Sequence, residues 1–341
     1  MEEYNDTHRA LVQAFLARSS MTGEELLGVV TAIHGVENPE EPTETTLEVC
    51  KLLISRINTA LAPFDFEIRS TRDQITRTEI FAFVNINPDT IIQGATHHSA
   101  DEIAFFRRLL DAMFETNNQY KAEVMAVSSN EALNLNKNPR VQATQATQAD
   151  GGEDGEQTAQ TGEGQGPGLT MKQAQEALEM FVDEEWLRKS RGGWYTLAPR
   201  GLLELSYYLQ QTYNDEADPE ESEDPDTPPI KRIKDCFACR EMITVGQRCD
   251  KLDCPIRLHD PCAASFFKVN KNGKCPGCKV PWTGKELVGE KAAAKLKRRA
   301  GGADRMRSTQ SNRRQSGVSR RDSEDEEEEE EETTMVNDDE D

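Results

Sequence analysis

No stretch of this sequence approaches the roughly eighteen consecutive apolar residues that a membrane-crossing helix needs, so no membrane partner is expected. The opening Met1-Glu2-Glu3 is acidic and is not followed by the apolar run of a signal peptide. Cysteine is nearly missing outside one region: seven of the eight lie between residues 236 and 278, and Cys50 stands alone. A disulfide framework suits a small secreted protein. Without an export signal, these cysteines read as thiolates in a reducing, intracellular compartment. Basic residues are missing from Asn214 to Thr227, which holds eight acids, and from Asp322 to Asp341, which holds fourteen. Those two segments account for the whole formal net charge of -22, so the acidity describes solvated stretches and not what the folded domains bind. Apolar residues vanish from about Asn136 to Gly168, where Gly, Gln, Glu and Asp dominate. Such a segment cannot bury enough surface to offset its ordering entropy.

What is present is helical periodicity followed by strand alternation. Leu11, Ala14 and Phe15 share one face of a short helix over Thr7 to Ala17. Thr22 to Glu25 spells a capping box ahead of Leu26, Leu27, Val30 and Ile33. A third helix is predicted over Thr46 to Leu61, and then the period drops to two in Phe64, Phe66 and Ile68. Arg72-Asp73 supplies a turn before a second strand from Ile80 to Ile86. Three helices and a hairpin are the order of a winged helix. Ser99 to Glu102 is another capping box, opening a helix with Ile103, Phe106, Leu109, Leu110 and Met113 on one face. Past the linker, a capping box at Thr170 to Gln173, a hairpin from Trp186 to Leu197 with a Gly-rich turn, and a helix after Pro199 suggest a second, smaller winged helix.

The cysteines carry the most specific pattern: Cys236-x2-Cys239-x9-Cys249-x4-Cys254-x4-His259-x2-Cys262-x12-Cys275-x2-Cys278. A Cys-x2-Cys knuckle presents two sulfurs from one tight turn to a tetrahedral zinc. Four successive pairs can alternate between two metals in a cross-brace. Cys236, Cys239, His259 and Cys262 would then hold one Zn2+, and Cys249, Cys254, Cys275 and Cys278 the other. A segment this short has too small a core to fold unaided, and two structural ions, each worth on the order of 10 kcal/mol, would supply the stability. Both sites would be closed, so no catalytic metal is expected.

The ligand order of four cysteines, one histidine and three cysteines is shared with plant homeodomain fingers. Those usually carry a tryptophan two residues before the seventh ligand, where Gly273 stands. The module more closely resembles the variant RING family, with apolar Phe237 inside the first knuckle and Pro276 directly after the seventh ligand. Departing from common RINGs, it has cysteine as fourth ligand and His259 as fifth. The RING resemblance implies a groove that holds a ubiquitin-conjugating enzyme and poses its thioester for transfer. Phe237 and Pro276 would be the contacts, and Lys279 would stand where many active RINGs keep a cation. No covalent catalytic residue is implied. In the bland alternative, Phe237 and Pro276 only pack the small domain and Lys279 is solvated.

The expected class is therefore α+β and multidomain: tandem winged-helix domains, a two-zinc cross-brace variant RING and a disordered charged tail. The expected boundaries are 1–135 and 169–213 for the winged helices, with linkers at 136–168 and 214–230. The zinc domain would span 231–285, and the basic then acidic tail 286–341. This layout is similar to the non-structural maintenance of chromosomes element one family, the RING subunit of the Smc five–six complex. The likeness is carried by Glu102-Ile103-Ala104-Phe105-Phe106-Arg107, by the helix end from Phe181 to Trp186, and by the hairpin to Gly201-Leu202. In the zinc module it is carried by Ile256-Arg257-Leu258-His259-Asp260-Pro261-Cys262, Cys275-Pro276-Gly277-Cys278 and Trp282. It spans roughly 5–135 and 169–285. The resemblance implies a nuclear protein of DNA repair and recombination. It also implies a MAGE-type partner held by the winged helices, a kleisin subunit joining that pair, and ubiquitin ligation stimulated by the MAGE partner.

Other features read more plainly. The third helix offers only Lys51 and Arg56, with Glu44 and Glu48 nearby, too little positive charge for a reader of phosphates. Direct DNA contact is therefore expected to be weak, and the winged helices are expected to bind protein. His97-His98 reads as a surface loop and Cys50 as a core residue. The basic run with Lys295, Lys297, Arg298 and Arg299 is a candidate nuclear import signal or nonspecific DNA contact, or else a solvated tail partly neutralised by the adjacent acidic run. Ser316 and Ser323 are candidate phosphorylation sites. Three functions stay open: a RING ubiquitin ligase in a chromosome-maintenance complex, a structural RING scaffold in the same complex, and a plant-homeodomain-like chromatin reader.

Overall fold

Asn5 starts the fold by accepting from the His8 amide, and helix α1 (Asp6–Arg18) follows. A short strand β1 (Ser20–Thr22) leads into α2 (Gly23–Glu37), and Glu25 reaches back to the Thr22 amide as the capping box predicts. Thr46 caps α3 (Leu47–Leu61). Strands β2 (Phe66–Arg72) and β3 (Glu79–Asn85) pair antiparallel from Phe66↔Asn85 to Arg72↔Glu79, and β1 adds to the far edge of β3. The computed structural model describes residues 4–37, 39, 45–86, 98–137, 168–214 and 231–293. His97, residues 138–167, residues 215–230 and the tail with Lys295, Lys297, Arg298, Arg299, Ser316 and Ser323 lie outside them. Among the described residues, no helix is long and apolar enough to cross a membrane.

The first core gathers Leu11, Phe15, Leu26, Val30, Leu53, Ile54 and Ile57 from the helices against Ile68 and Phe81 of the sheet. Cys50 is fully buried in it. Strand β2 lies at the sheet edge, and its exposed backbone groups find a partner in α3. The Asn58 amide donates to the Ile68 carbonyl at 2.9 Å and accepts from its N–H at 2.8 Å. The basic character of α3 is further reduced, because Lys51 is paired with Glu79 at 3.2 Å.

The second unit begins earlier than 169. Helix α4 (Ala100–Asp111) carries the predicted capping box at Ser99, but its apolar face does not join the first core. Phe105, Phe106, Leu109 and Leu110 pack instead with Leu178, Phe181, Trp186 and Leu209. After α4 come the hairpin β4 (Asn118–Gln119) and β5 (Ala122–Glu123), then β6 (Val127–Ser128) and α5 (Ser129–Asn134). The unit continues with α6 (Met171–Asp183), β7 (Leu187–Lys189), β8 (Trp194–Leu197), α7 (Pro199–Glu204) and α8 (Ser206–Tyr213). Its sheet runs β6-β8-β7, the same connectivity as β1-β3-β2. Apart from the inserted β4-β5 hairpin and the closing α7 and α8, the second unit repeats the order of the first, helix, strand, helix, helix, strand, strand, and residues 98–135 supply its first half.

The expected interdomain linker lies inside this second unit. Lys137 bridges Gly168, and the Leu169 amide donates to the Asn136 carbonyl at 2.9 Å, so the two ends of the segment sit side by side. Arg108 holds that junction through the carbonyls of Leu135 and Asn136, at 2.7 and 3.2 Å. Asn214 and Lys231 likewise bridge across the acidic stretch. His98 is also placed differently from the surface loop expected. Its side chain is 5% exposed, Nε2 lies 2.9 Å from the Glu184 carboxylate, and the ring packs on Phe181.

The third unit has β9 (Gly246–Arg248), β10 (Arg257–Leu258), α9 (Asp260–Val269) and β11 (Leu287–Val288), in sheet order β10-β9-β11. The last strand lies past residue 285, so the fold continues into the segment expected as tail. Val288 is buried in the core of the second unit, which gives that strand a reason to be ordered.

Candidate metal centre

Two groups of four ligand atoms converge within the third unit. Cys236, Cys239, His259 and Cys262 form one, and Cys249, Cys254, Cys275 and Cys278 the other; within each group the donor atoms all lie within 4.8 Å of one another. This is the alternation the spacing predicts. The first knuckle leads toward β9, and His259 and Cys262 flank the start of α9, where Pro261 takes a first-turn position. The knuckle with Cys275 and Cys278 returns the chain toward β11. Trp282 packs against both groups and donates from Nε1 to Gln247 at 3.0 Å.

The geometry fits a tetrahedral ion. Four sulfurs about 2.3 Å from a centre would stand about 3.8 Å apart. Cys249 and Cys278 sulfurs are 3.4 Å apart, and those of Cys254 and Cys275 3.6 Å, far beyond a disulfide. In the first group, His259 Nδ1 lies 3.3 Å from Cys239 Sγ and 3.9 Å from Cys262 Sγ, so Nδ1 is the ligating nitrogen.

Proton chemistry makes the same point. Burial would raise the Cys236 thiol, but hydrogen bonds from His259 and nearby amides hold it at about 6. Burial and the charge of Cys236 push Cys239 up to about 12, and Cys262 is raised for the same reasons. In the second group, backbone bonding from Val280 holds Cys278 at about 7, while burial raises Cys249 and Cys254. Thiolates this close cannot coexist without a central cation. A divalent ion resolves the conflict, and sulfur-rich tetrahedral sets suit Zn2+.

Among the contacts that hold the third unit to the second is a buried carboxylate that sequence reasoning misses. Glu123 of β5 accepts from Arg257 Nε at 2.7 Å and from Nη2 at 2.6 Å, and also takes Lys234 Nζ at 2.5 Å. Arg248 stands 3.8 Å away and donates to the Tyr120 and Leu252 carbonyls. Arg248 and Arg257 are among the largest fully buried side chains. Burial would raise the Glu123 carboxyl, but the bonds and charge of Arg257, then Lys234, outweigh it and hold it at about 2. Lys234 moves the other way from a well-paired lysine: burial lowers it more than the charge of Glu123 raises it, and the neighbouring Arg257 and Arg248 lower it further. Arg257 also donates to the Cys254 and Ile256 carbonyls, at 2.6 and 2.9 Å, which fixes the backbone of a ligand. The available signal was weak: Arg248 directly precedes one ligand, and Arg257 stands two residues before another.

The positions expected to meet a conjugating enzyme lie on the surface of this unit. Phe237 is half-buried, with its ring edge-on to Phe266 at 5.9 Å and Arg240 over it at 5.3 Å. Pro276 is half-buried, and Lys279 is exposed with positive φ, its Nζ donating to the Pro276 carbonyl at 2.7 Å.

Residues 8–205 match the family model described as the Nse1 non-SMC component of SMC5-6 complex, and residues 236–278 match that of a RING-like domain. The chain is 24% identical over 277 residues to the human non-structural maintenance of chromosomes element 1 homolog, covering 81% of this chain and 84% of that protein. It is also 24% identical over 287 residues to the element 1 protein of Schizosaccharomyces pombe, covering 84% and 95%. A chain of the solved Nse1-Nse3-Nse4 complex has the same fold, with a TM-score of 0.58 at 22% identity over 83% of this chain and 99% of that one. Since the first family model spans more than half of its length, this chain belongs to the Nse1 family of non-SMC components of the SMC5-6 complex.

Proposed function

We propose that this protein is a RING-type ubiquitin ligase subunit of the SMC5-6 complex. It would act in the nucleus, in DNA repair and recombination, and would position a ubiquitin-charged conjugating enzyme. The observation that carries this reading is the pair of closed four-ligand groups, which leave no donor position open and so make the metals structural. Zn2+, when bound at each, supplies charge compensation and a fixed tetrahedral centre. The chemistry then falls to the surface the two centres hold in place. Phe237 in the first knuckle offers an apolar edge, Pro276 in the last knuckle offers another, and Lys279 supplies the cation. Catalysis by such a surface is positional: it restrains the thioester in a reactive pose and contributes no nucleophile.

The tandem units with winged-helix connectivity are the proposed seat of a MAGE-type subunit, with a kleisin subunit joining the pair. The structurally similar chain comes from a complex of Nse1 with Nse3 and Nse4, which supports a three-component assembly. The pairing of Lys51 of α3 with Glu79 of β3 supports protein over DNA as the ligand of the first unit. Co-expression with the two partner subunits tests the assembly, and discharge of ubiquitin from a charged conjugating enzyme tests the activity.

One observation favours the structural scaffold as a second reading. Lys279 is folded back onto the Pro276 carbonyl and Phe237 is engaged with Phe266 and Arg240, so these groups already have intramolecular partners. Ubiquitin discharge separates the two readings, because a scaffold gives none.

A further inference from the structure

The first metal centre is completed from outside its own unit. With Nδ1 of His259 turned to the thiolates, the ring proton resides on Nε2, which lies 3.3 Å from the Met242 carbonyl and donates to it. The same carbonyl accepts the Nε2–H of Gln74 at 3.0 Å. Gln74 belongs to the turn between β2 and β3 of the first unit. Its Oε1 accepts the backbone amides of Thr244 and Val245, at 3.0 and 2.9 Å, so one side-chain amide organises the segment that orients His259. Three residues on, Arg77 places Nη1 3.8 Å from Cys262 Sγ.

The turn is built to deliver both groups. Asp73 accepts the amides of Ile75 and Thr76 at 2.7 and 2.8 Å, and its other oxygen is paired with Arg188 of β7. Arg77 closes the turn in the left-handed region, with φ of 65°. Three thiolates and a neutral imidazole around a divalent ion leave one negative charge, which the Arg77 guanidinium faces. The second centre is reached from a different direction, through Glu123, Arg257 and the Cys254 carbonyl.

We infer that Gln74 and Arg77 are positioning residues of the Cys236/Cys239/His259/Cys262 centre, so that metal occupancy there and docking of the N-terminal turn form one coupled equilibrium. Whatever strengthens one strengthens the other by the same factor. The second centre stands outside this coupling. The inference rests on the reading of the eight ligands as two metal centres.

The test uses the full chain loaded with Co2+, whose d–d absorption distinguishes a three-sulfur, one-nitrogen site from a four-sulfur site. Release to EDTA is followed at each signature in the parent protein and in Gln74→Ala, Arg77→Ala and Arg77→Lys. The expected result is release from the mixed site about tenfold faster or more in both alanine variants, with the four-sulfur site unchanged and Arg77→Lys largely restored. In the same samples, amide exchange at Thr244 and Val245 should quicken in Gln74→Ala. Equal acceleration at both sites, or none at either, would overturn the coupling while leaving the metal reading intact. Uptake of no Co2+ by the parent chain would overturn both.

Discussion

The Glu123 carboxylate and the Arg257 guanidinium meet through two hydrogen bonds of 2.7 and 2.6 Å, with side chains 3% and 1% exposed. One lies on the hairpin of the second unit and the other two residues before a metal ligand, so this buried pair is one of the links between the RING-like unit and the helical body, beside the burial of Val288 in the second core. Removing one partner of such a pair leaves charge stranded out of water, at a cost of roughly 3–5 kcal/mol.

Glu123→Gln should therefore destabilise the protein by about 3 kcal/mol at neutral pH, read from the urea midpoint. The sign of its pH dependence follows from a carboxyl held at about 2 in the folded chain against 4.5 ordinarily. The contribution is complete above the ordinary value and is lost as pH falls toward 2. The gap between the parent and the variant should be flat near neutrality and close across that acid range. A gap that widens on acidification would contradict this account.

Gly246→Ala should cripple the third unit. An added Cβ would lie 2.4 Å from the Leu258 carbonyl oxygen and 2.9 Å from the His259 Cα, within the pairing of β9 and β10. The expected loss is about 2–3 kcal/mol. Gly273 has a φ of +58° but open space around it, so Gly273→Ala should cost only about 1 kcal/mol, from backbone strain alone. Comparable losses by thermal unfolding would show that the close approach at Gly246 is not what matters.

Metal removal should act locally. Elemental analysis of the purified protein should find two zinc ions per chain. Chelation should remove the fixed structure of residues 231–293 while leaving most of the helical circular dichroism, since the first core and most of the second lie outside that unit. Cys275→Ser should lower the zinc content to about one ion. Full zinc content in that variant would contradict the four-ligand assignment.

The features legible in the sequence were local ones. The capping boxes at Thr22, Ser99 and Thr170 mark helix starts because donor and acceptor stand three residues apart. The pairing of the ligands was legible from spacing, as knuckle geometry is set within a few residues, and the two groups of four are those of the cross-brace expectation. The allegiance of α4 was not legible. An amphipathic face states that it must be buried and not against what, and the long segment between Lys137 and Gly168 concealed that α5 and α6 belong to one unit. His98 looked like a surface residue because its partner, Glu184, is far along the chain. Gln74, Arg77 and Glu123 escaped notice for the same reason, since their roles depend on residues more than a hundred positions away.

The most direct test of the proposed function is ubiquitin discharge from a charged conjugating enzyme onto free lysine. It should be run across a panel of such enzymes, with the zinc-loaded chain alone and with a MAGE-type partner. The expected result is acceleration that the partner increases and that Phe237→Ala abolishes at unchanged zinc content. No acceleration with any enzyme of the panel, with two zinc ions bound and the partner present, would contradict the ligase claim and leave a structural RING.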